Sequence, residues 1–243
     1  MKDTFLAAVS HELRSPLTSI LGLSITLERA PEMPAPDRTD LLERLAVNAR
    51  KLDRLLKDLL DIDRLNRGSV GPQYRTVDLA TLTRRSAESL DTLYGREIDF
   101  EMESLVLTVD PPKVERIVEN LVANAVRHTR ETCRIWVRLE AFDGGALLSV
   151  EDDGEGVPHE LRHAVFEPFR QGPTACPHSP GTGIGLSLVS KFAELHGGRA
   201  WVDERPGGGA AFRVFLPPAP GTGLSGDQHP TRRADDAASA DAL

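Results

Sequence analysis

Near the start of the chain, Phe5-Leu-Ala-Ala-Val-Ser-His-Glu-Leu-Arg-Ser-Pro-Leu-Thr-Ser-Ile20 sets a histidine, a carboxylate and a small hydroxyl at helical spacing. A free imidazole has a pKa of about 6.5 and is mostly neutral at pH 7. A neighbouring carboxylate, here Glu12, can hold one ring N–H and leave the other nitrogen's lone pair free to attack an electrophile. His11 falls two residues after Val9, about 200° further round a helix, so it points away from the apolar stripe Phe5, Val9, Leu13, Leu17, Ile20 and Leu21. Ala7, Ala8 and Ser15 share its face, and such small residues leave room for a large reactant. The plain alternative is a surface histidine on an amphipathic helix.

Four further stretches carry groups suited to a nucleotide. In Glu119-Asn-Leu-Val-Ala-Asn-Ala-Val-Arg-His128, Asn120 and Asn124 are four apart and project from one helix face. Amide oxygens are hard ligands that suit Mg²⁺, and Arg127 and His128 follow where they could meet phosphates. Taken alone, these could equally be helix-surface asparagines. Asp152-Asp-Gly-Glu-Gly156 offers a carboxylate able to accept a hydrogen bond from an adenine amino group, with Gly154 and Gly156 allowing close approach. Phe166-Glu-Pro-Phe169 follows. Gly181-Thr-Gly-Ile-Gly-Leu186 is a glycine run that opens a helix, turning backbone N–H groups and the positive dipole end toward an anion. No Lys-Ser/Thr pair follows its last glycine, so it is not a Walker loop, and its spacing is not that of a dinucleotide fingerprint.

The elements that must position these groups can be read in order. Helix one is expected from Lys2 to Arg29, ended by Pro31-Glu-Met-Pro-Ala-Pro36, and helix two from Asp37 or Thr39 to Asn66. Leu45, Leu52 and Leu59 repeat at heptad spacing, Leu55 and Ile62 form a second row with Asn48, and Leu42, Leu56 and Leu60 widen the apolar surface. A hairpin apolar on several sides should pair with a copy of itself as a four-helix bundle; the plain alternative is a monomeric hairpin packed on the second domain. After a linker around Gly68, Gly71 and Pro72, strands alternate with helices: strands at Tyr74–Val77, Glu97–Glu103, Leu105–Val109, Cys133–Phe142, Ala146–Glu151, Arg199–Asp203 and Ala210–Leu216, and helices at Leu79–Leu93, Pro111–Arg127 and Ile184–His196. An irregular stretch from Asp152 to Gly183 is too long for an ordinary connection. The expected fold class is α+β: a helical hairpin over residues 1–67, an α/β sandwich over 74–217, and a disordered tail over 218–243.

Composition narrows the partners. A net charge of −8 over 243 residues argues against nucleic acid or an anionic membrane. No apolar run approaches the roughly 18 residues that a membrane span needs, and no signal peptide precedes the first helix. Cys133 and Cys176 are far apart and read as free thiols in a reducing compartment, with a disulfide the weaker alternative, which favours a cytoplasmic location for the chain alone or as the cytoplasmic part of a larger, membrane-anchored protein.

The first stretch closely resembles the H box of bacterial sensor histidine kinases, His-Glu-Leu-Arg-(Ser/Thr)-Pro-Leu. The other four, in order, resemble the N, G1, F and G2 boxes of that family's catalytic domain, which belongs to the superfamily shared with gyrase and the chaperone ATPases. The resemblance covers roughly Asp3 to Pro217. It implies that His11 accepts the γ-phosphoryl group of ATP, with Glu12 as base. Asn120 and Asn124 would hold Mg²⁺, and Arg127 and His128 would touch phosphates. Asp152 would read adenine in a pocket shaped by Gly154 and Gly156. Gly181, Thr182, Gly183, Gly185 and Leu186 would form the phosphate loop, and Phe166 and Phe169 would anchor a mobile lid. A homodimer and a response-regulator receiver domain are the implied partners.

In the hydrolysing relatives a glutamate stands four residues before the magnesium asparagine and activates water. Here that position is Asn120. A site without its own base suits transfer to a nucleophile on the other domain, because phosphoryl transfer is mostly positioning and charge stabilisation. Two departures from the pattern stand out. Ser15 replaces the usual Thr or Asn that positions water for dephosphorylating a receiver. Ala210 replaces a common threonine near adenine, which should loosen nucleotide binding without abolishing it. The competing readings are a degenerate kinase that binds nucleotide and a partner without transfer, and a phosphatase-type regulator. The chain starts almost at the phosphoacceptor helix, so a sensor is expected upstream or on another chain.

Overall fold

Two long helices open the chain in the computed structural model, which describes residues 2–68, 71–94, 96–168 and 183–219; the side chains of residues 2–8, 11, 66 and 90–94 lie outside that description. Helix α1 spans Lys2–Arg29 and α2 spans Ala35–Asn66, joined by a short turn into a hairpin. α1 continues through Pro16, which forgoes only the one backbone donor that would have reached the Glu12 carbonyl. α2 begins earlier than the proline cluster suggested. Pro34 is its N-cap and Pro36 sits in its first turn, where a missing N–H has no partner to lose.

The second block is a sandwich. Strand β1 (Arg75–Asp78) pairs antiparallel with β3 (Val106–Val109) as a separate ribbon. Strands β2 (Ile98–Met102), β4 (Ile135–Phe142), β5 (Gly145–Asp152), β6 (Arg199–Glu204) and β7 (Ala210–Leu216) form a mixed sheet in the order β2-β4-β5-β7-β6, with only β2 and β4 parallel. Helices α3 (Leu79–Tyr94), α4 (Pro111–His128) and α5 (Gly185–Leu195) complete the block. Alternate strand residues such as Ile135, Val137, Leu148, Val150, Phe212 and Val214 meet Ile117 and Leu121 of α4 and Leu188 and Phe192 of α5 in one apolar core. The β4–β5 turn is tighter than the expected Asp143–Gly145. Asp143 and Gly144 have φ of 47° and 73°, as a two-residue hairpin requires, and Gly145 already lies in β5.

Asp78 caps α3, accepting from the Ala80 N–H at 3.0 Å and the Thr81 hydroxyl at 2.8 Å; these bonds, Thr81's first, hold its carboxyl below the usual range. The sheet face that carries no helix is closed by long side chains. Glu151 there is 2% exposed and meets Arg138 at 3.6 Å, Arg205 at 3.5 Å and Arg213 at 3.8 Å. Arg205 also lies 3.8 Å over the Trp136 ring.

The hairpin rests on the sandwich. Leu55 and Ile62 of α2 join the same apolar core as α4 and α5. Asp58 pairs with Arg116, which also meets Glu119 at 2.8 Å, and Asp61 meets Lys113 at 3.3 Å. The chain between the two blocks is tied down at Asp110: Gln73 N–H donates to its carboxylate at 2.8 Å, and its own N–H donates to His196 Nε2 at 2.9 Å. His196 Nδ1–H in turn donates to the Phe192 carbonyl at 2.7 Å, and Tyr74 packs edge-on against the ring.

That arrangement requires a neutral His196, and burial holds its pKa below the ordinary value against the opposing pull of the Phe192 carbonyl and Asp110. Stability from the neutral ring is complete above the unfolded pKa of about 6.5 and is lost as pH falls through it, because the unfolded chain then binds a proton the folded one resists. Burial raises Asp58 and Asp152, which contribute with the opposite sign, so the informative comparison is between proteins at each pH. Denaturation midpoints between pH 7 and 5 should fall more steeply for the parent than for His196→Gln. Equal slopes would remove His196 from the acid response.

Candidate active site

Helix α4 supplies two candidate metal ligands. Asp110 caps its start, accepting from the Lys113 N–H at 3.4 Å, and Val114, Ile117, Val118, Leu121, Val122 and Ala125 bury its inner stripe. Asn120 and Asn124 are half-buried. The Asn120 amide faces α5: a side chain on Gly185 would place its Cβ 3.2 Å from Asn120 Oδ1. The other end of that amide, Nδ2, is buried without a hydrogen-bond partner. Rotating the group by 180° exchanges N for O, so an orphaned, buried amide at this point fits a cation or phosphate oxygen. Arg127 is half-buried and His128 exposed. Surrounding protein, and then the Arg127 guanidinium, hold His128 below the usual imidazole range.

Strand β5 delivers Asp152 as its last residue, 5% exposed. One carboxylate oxygen accepts from the Gly154 N–H at 3.0 Å. Burial raises the carboxyl's pKa, against the backbone N–H groups of Gly154 and Ala210. Three glycines are fixed here by contact. A Cβ on Gly154 would stand 2.9 Å from both Asp152 Oδ1 and Thr129 Cγ2, and one on Gly156 (φ 74°) would stand 2.9 Å from the Gly209 carbonyl. One on Gly209 (φ 102°) would overlap the Asp152 carbonyl. Reading for chemistry missed Gly209; the signal was the triple glycine Gly207-Gly-Gly209, every member of which has positive φ.

Gly183 has φ 64°, Ile184 is the N-cap of α5, Gly185 opens the helix and Leu186 packs on the core. Phe166 ends a 3₁₀ turn, Ala164–Phe166, and meets Phe212 of β7 edge-on at 6.3 Å. Phe169, Gly181, Thr182, Cys176 and the tail beyond residue 219 lie outside the described residues. On the hairpin, Glu12 and Pro16 are buried and Ser15 is exposed; His11 belongs to α1, but its side chain is outside the description. The expected residues thus fall into three local groups: Asn120 against Gly185, Asp152 with Gly154, and Phe166 on Phe212. Glu12 and Ser15 belong to α1, where Leu13 between them packs against the shared apolar core.

Residues 1–68 match the family described as His Kinase A (phospho-acceptor) domain, and residues 109–220 match Histidine kinase-, DNA gyrase B-, and HSP90-like ATPase. The sensor histidine kinase TmoS of Ectopseudomonas mendocina is 38% identical over 225 residues, covering 89% of this chain and 23% of TmoS. Among solved structures, the mycobacterial sensor histidine kinase MprB aligns at 30% identity and a TM-score of 0.54, over 60% of this chain and 98% of that one. Histidine kinase ThkA in complex with response regulator protein TrrA aligns at 25% identity and a TM-score of 0.65, over 89% of this chain and 62% of that one. The chain spans less than half the length of the curated relatives it matches. A hairpin of the phosphoacceptor type, a mixed-sheet nucleotide domain behind it, and a solved relative covered almost end to end place this chain in the sensor histidine kinase family.

Proposed function

We propose that the chain transfers the γ-phosphoryl group of ATP to its own His11 and passes it to an aspartate of a response-regulator receiver domain. The observation that carries this reading is the buried, unpartnered Asn120 amide nitrogen, on a side chain set against the glycine that opens α5, in a chain whose first helix bears His-Glu-Leu-Arg-Ser-Pro. Asp152 accepts from the adenine amino group, Gly154 and Gly156 let the base approach, and Arg127 and His128 face the phosphates. Gly181, Thr182, Gly183, Gly185 and Leu186 form the phosphate loop, and Phe166 and Phe169 hold the lid.

Asn120 and Asn124 would hold Mg²⁺, which supplies charge neutralisation for the phosphates. A lone pair on one ring nitrogen of His11 attacks the γ-phosphorus. The bond from that phosphorus to the β–γ bridging oxygen breaks, and ADP leaves with the electron pair. The proton on the other ring nitrogen passes to Glu12, leaving neutral phosphohistidine. Ser15, one turn after His11, positions the water that attacks the receiver's phosphoaspartate, breaking its P–O bond to the aspartate and releasing inorganic phosphate and the free carboxylate.

Residues 1–67 act as the dimerising phosphoacceptor unit and 74–217 as the ATP-binding unit. Leu17, Leu21, Leu42, Leu56 and Leu60 are 47–60% exposed and give the hairpin an apolar surface for a second copy. ThkA is known in complex with a response regulator, which supports a receiver as the partner here. No described helix is long and apolar enough to cross a membrane; the reaction belongs in the cytoplasm, where ATP and receivers meet.

The test is incubation with γ-³²P-labelled ATP and Mg²⁺, followed by a receiver domain. The expected result is an acid-labile, base-stable label that chelation prevents and that moves to the receiver. Nucleotide binding without label, or an acid-stable label, would overturn the proposal.

A further inference from the structure

A buried arginine stands behind the adenine end of the site. Arg96, just before β2, is 7% exposed. Its Nη2 donates to Thr129 Oγ1 at 3.2 Å and to the Cys133 carbonyl at 2.7 Å. Those two acceptors bracket the connection from α4 to β4. Thr129 is the C-cap of α4, and its hydroxyl, while accepting from Arg96, donates to the Ala125 carbonyl at 2.7 Å. A cation at a helix C-terminus is also favoured by the helix dipole.

The connection held in this way touches the nucleotide residues twice. The Thr129 methyl would stand 2.9 Å from a Cβ on Gly154, the residue whose N–H holds the Asp152 carboxylate. One residue past Cys133, the Arg134 N–H donates to Asp153 Oδ1 at 2.7 Å, and the Asp153 N–H returns to the Arg134 carbonyl at 3.4 Å. The path therefore runs from Arg96 through Thr129 to Gly154 and Asp152, and through Cys133 and Arg134 to Asp153. The same grip fixes the end of α4 that bears Asn124, Arg127 and His128.

We infer that Arg96 is a positioning residue of the nucleotide site: it holds the end of α4 and the turn after β5 in fixed relation, and so sets the Asp152 carboxylate for an adenine amino group. The inference rests on the reading of Asp152 as the adenine contact. It gives Arg96 a part in base preference as well as in affinity. Adenine presents an amino donor where guanine presents a carbonyl acceptor, so a well-placed carboxylate accepts from the first and repels the second. A displaced one discriminates less.

The test measures ADP and GDP affinity by calorimetry in the full chain, at a temperature where melting curves show every variant folded. Arg96→Met should weaken ADP about tenfold, GDP much less, and so lower the ADP/GDP preference. KM for ATP should rise by a larger factor than kcat at saturating ATP falls, because Arg96 acts most directly on the adenine contact and reaches the phosphate residues only through the end of α4. Arg96→Lys, which restores the charge and one donor, should recover part of the preference. If Arg96→Met does not fold, Thr129→Val decides, since it keeps the methyl against Gly154 and removes the hydroxyl that joins Arg96 to the Ala125 carbonyl. Asp152→Ala is measured alongside. ADP bound at parental affinity by Asp152→Ala would overturn the adenine assignment and this inference with it. Lost affinity in Asp152→Ala, with parental ADP/GDP preference in both Arg96→Met and Thr129→Val, would overturn the positioning role alone and leave Arg96 as a stabilising residue only.

Discussion

Glutamine at His11 is expected to eliminate acid-labile labelling while leaving ADP affinity within about twofold of the parent, as befits acceptor and nucleotide groups carried on separate elements. The loss should be total because a carboxamide nitrogen has no lone pair free for attack; its electrons are delocalised into the carbonyl. The retained affinity follows from where the nucleotide groups sit. Asn120 and Asn124 belong to α4, Asp152 to β5 and Gly185 to α5, and each is held by contacts within the sandwich. His11 belongs to α1. Glutamine is a good helix former of similar length, so the hairpin should lose no more than about 0.5 kcal/mol. Labelling in filter assays after acid and base treatment, with calorimetry on the same preparation, checks both halves. Acid-labile label persisting on His11→Gln would move the acceptor to another residue. A large loss of ADP affinity would mean that the hairpin contributes directly to the nucleotide site.

Much of this fold is local, and so was legible. The hairpin follows from a helical apolar repeat, and α3, α4 and α5 from apolar periodicity, while the Asp110 cap of α4 and the two-residue Asp143-Gly144 turn emerge only in the structure. The site was legible as ordered short stretches because each places its groups on one element: Asn120 and Asn124 on one helix face, Asp152 at one strand end. What stayed hidden depends on contacts made across the chain. Asp58 reads as one more charge on the polar side of a helix, yet it is 4% exposed against Arg116, 58 residues later. Arg96 reads as a loop residue and is buried by two acceptors 33 and 37 residues away. Glu151 sits at an alternation position expected to face water, and it is buried because three arginines converge on it from β4, β7 and the turn after β6. Gly209 is required only because β5 and β7 pair so that it abuts Asp152. No local pattern announces a partner of that kind.

Alanine at Asp58 is expected to cost about 3 kcal/mol, the lower end of the range for breaking a buried ion pair by removing one partner. Asp58 ties α2 of the hairpin to Arg116 of α4, so the loss falls on the contact between the two blocks. The lower end applies because Arg116 keeps Glu119 at 2.8 Å and its side chain retains 19% exposure, which leaves its charge partly compensated. The pair's net worth is a different matter. Burial is the largest influence on the Asp58 carboxyl and raises its pKa even with the Arg116 guanidinium beside it, while Asp58 and Glu119 together raise Arg116 against its own burial, so desolvation consumes part of the attraction. Replacing both partners together, Asp58→Leu with Arg116→Met, should therefore restore stability to within about 1 kcal/mol of the parent or exceed it, because apolar residues of similar volume extend the packing of Leu55 and Ile62 against α4 and α5. Urea denaturation of the parent, Asp58→Leu, Arg116→Met and the double variant closes the cycle, with Asp58→Ala measured alongside, and a coupling energy of at least about 1.5 kcal/mol is expected for such a pair. Single variants as stable as the parent would mean that α2 and α4 are not held together through this pair. A double variant no better than Asp58→Ala would mean that the charge itself, and not the filling of the contact, holds the hairpin to the catalytic block.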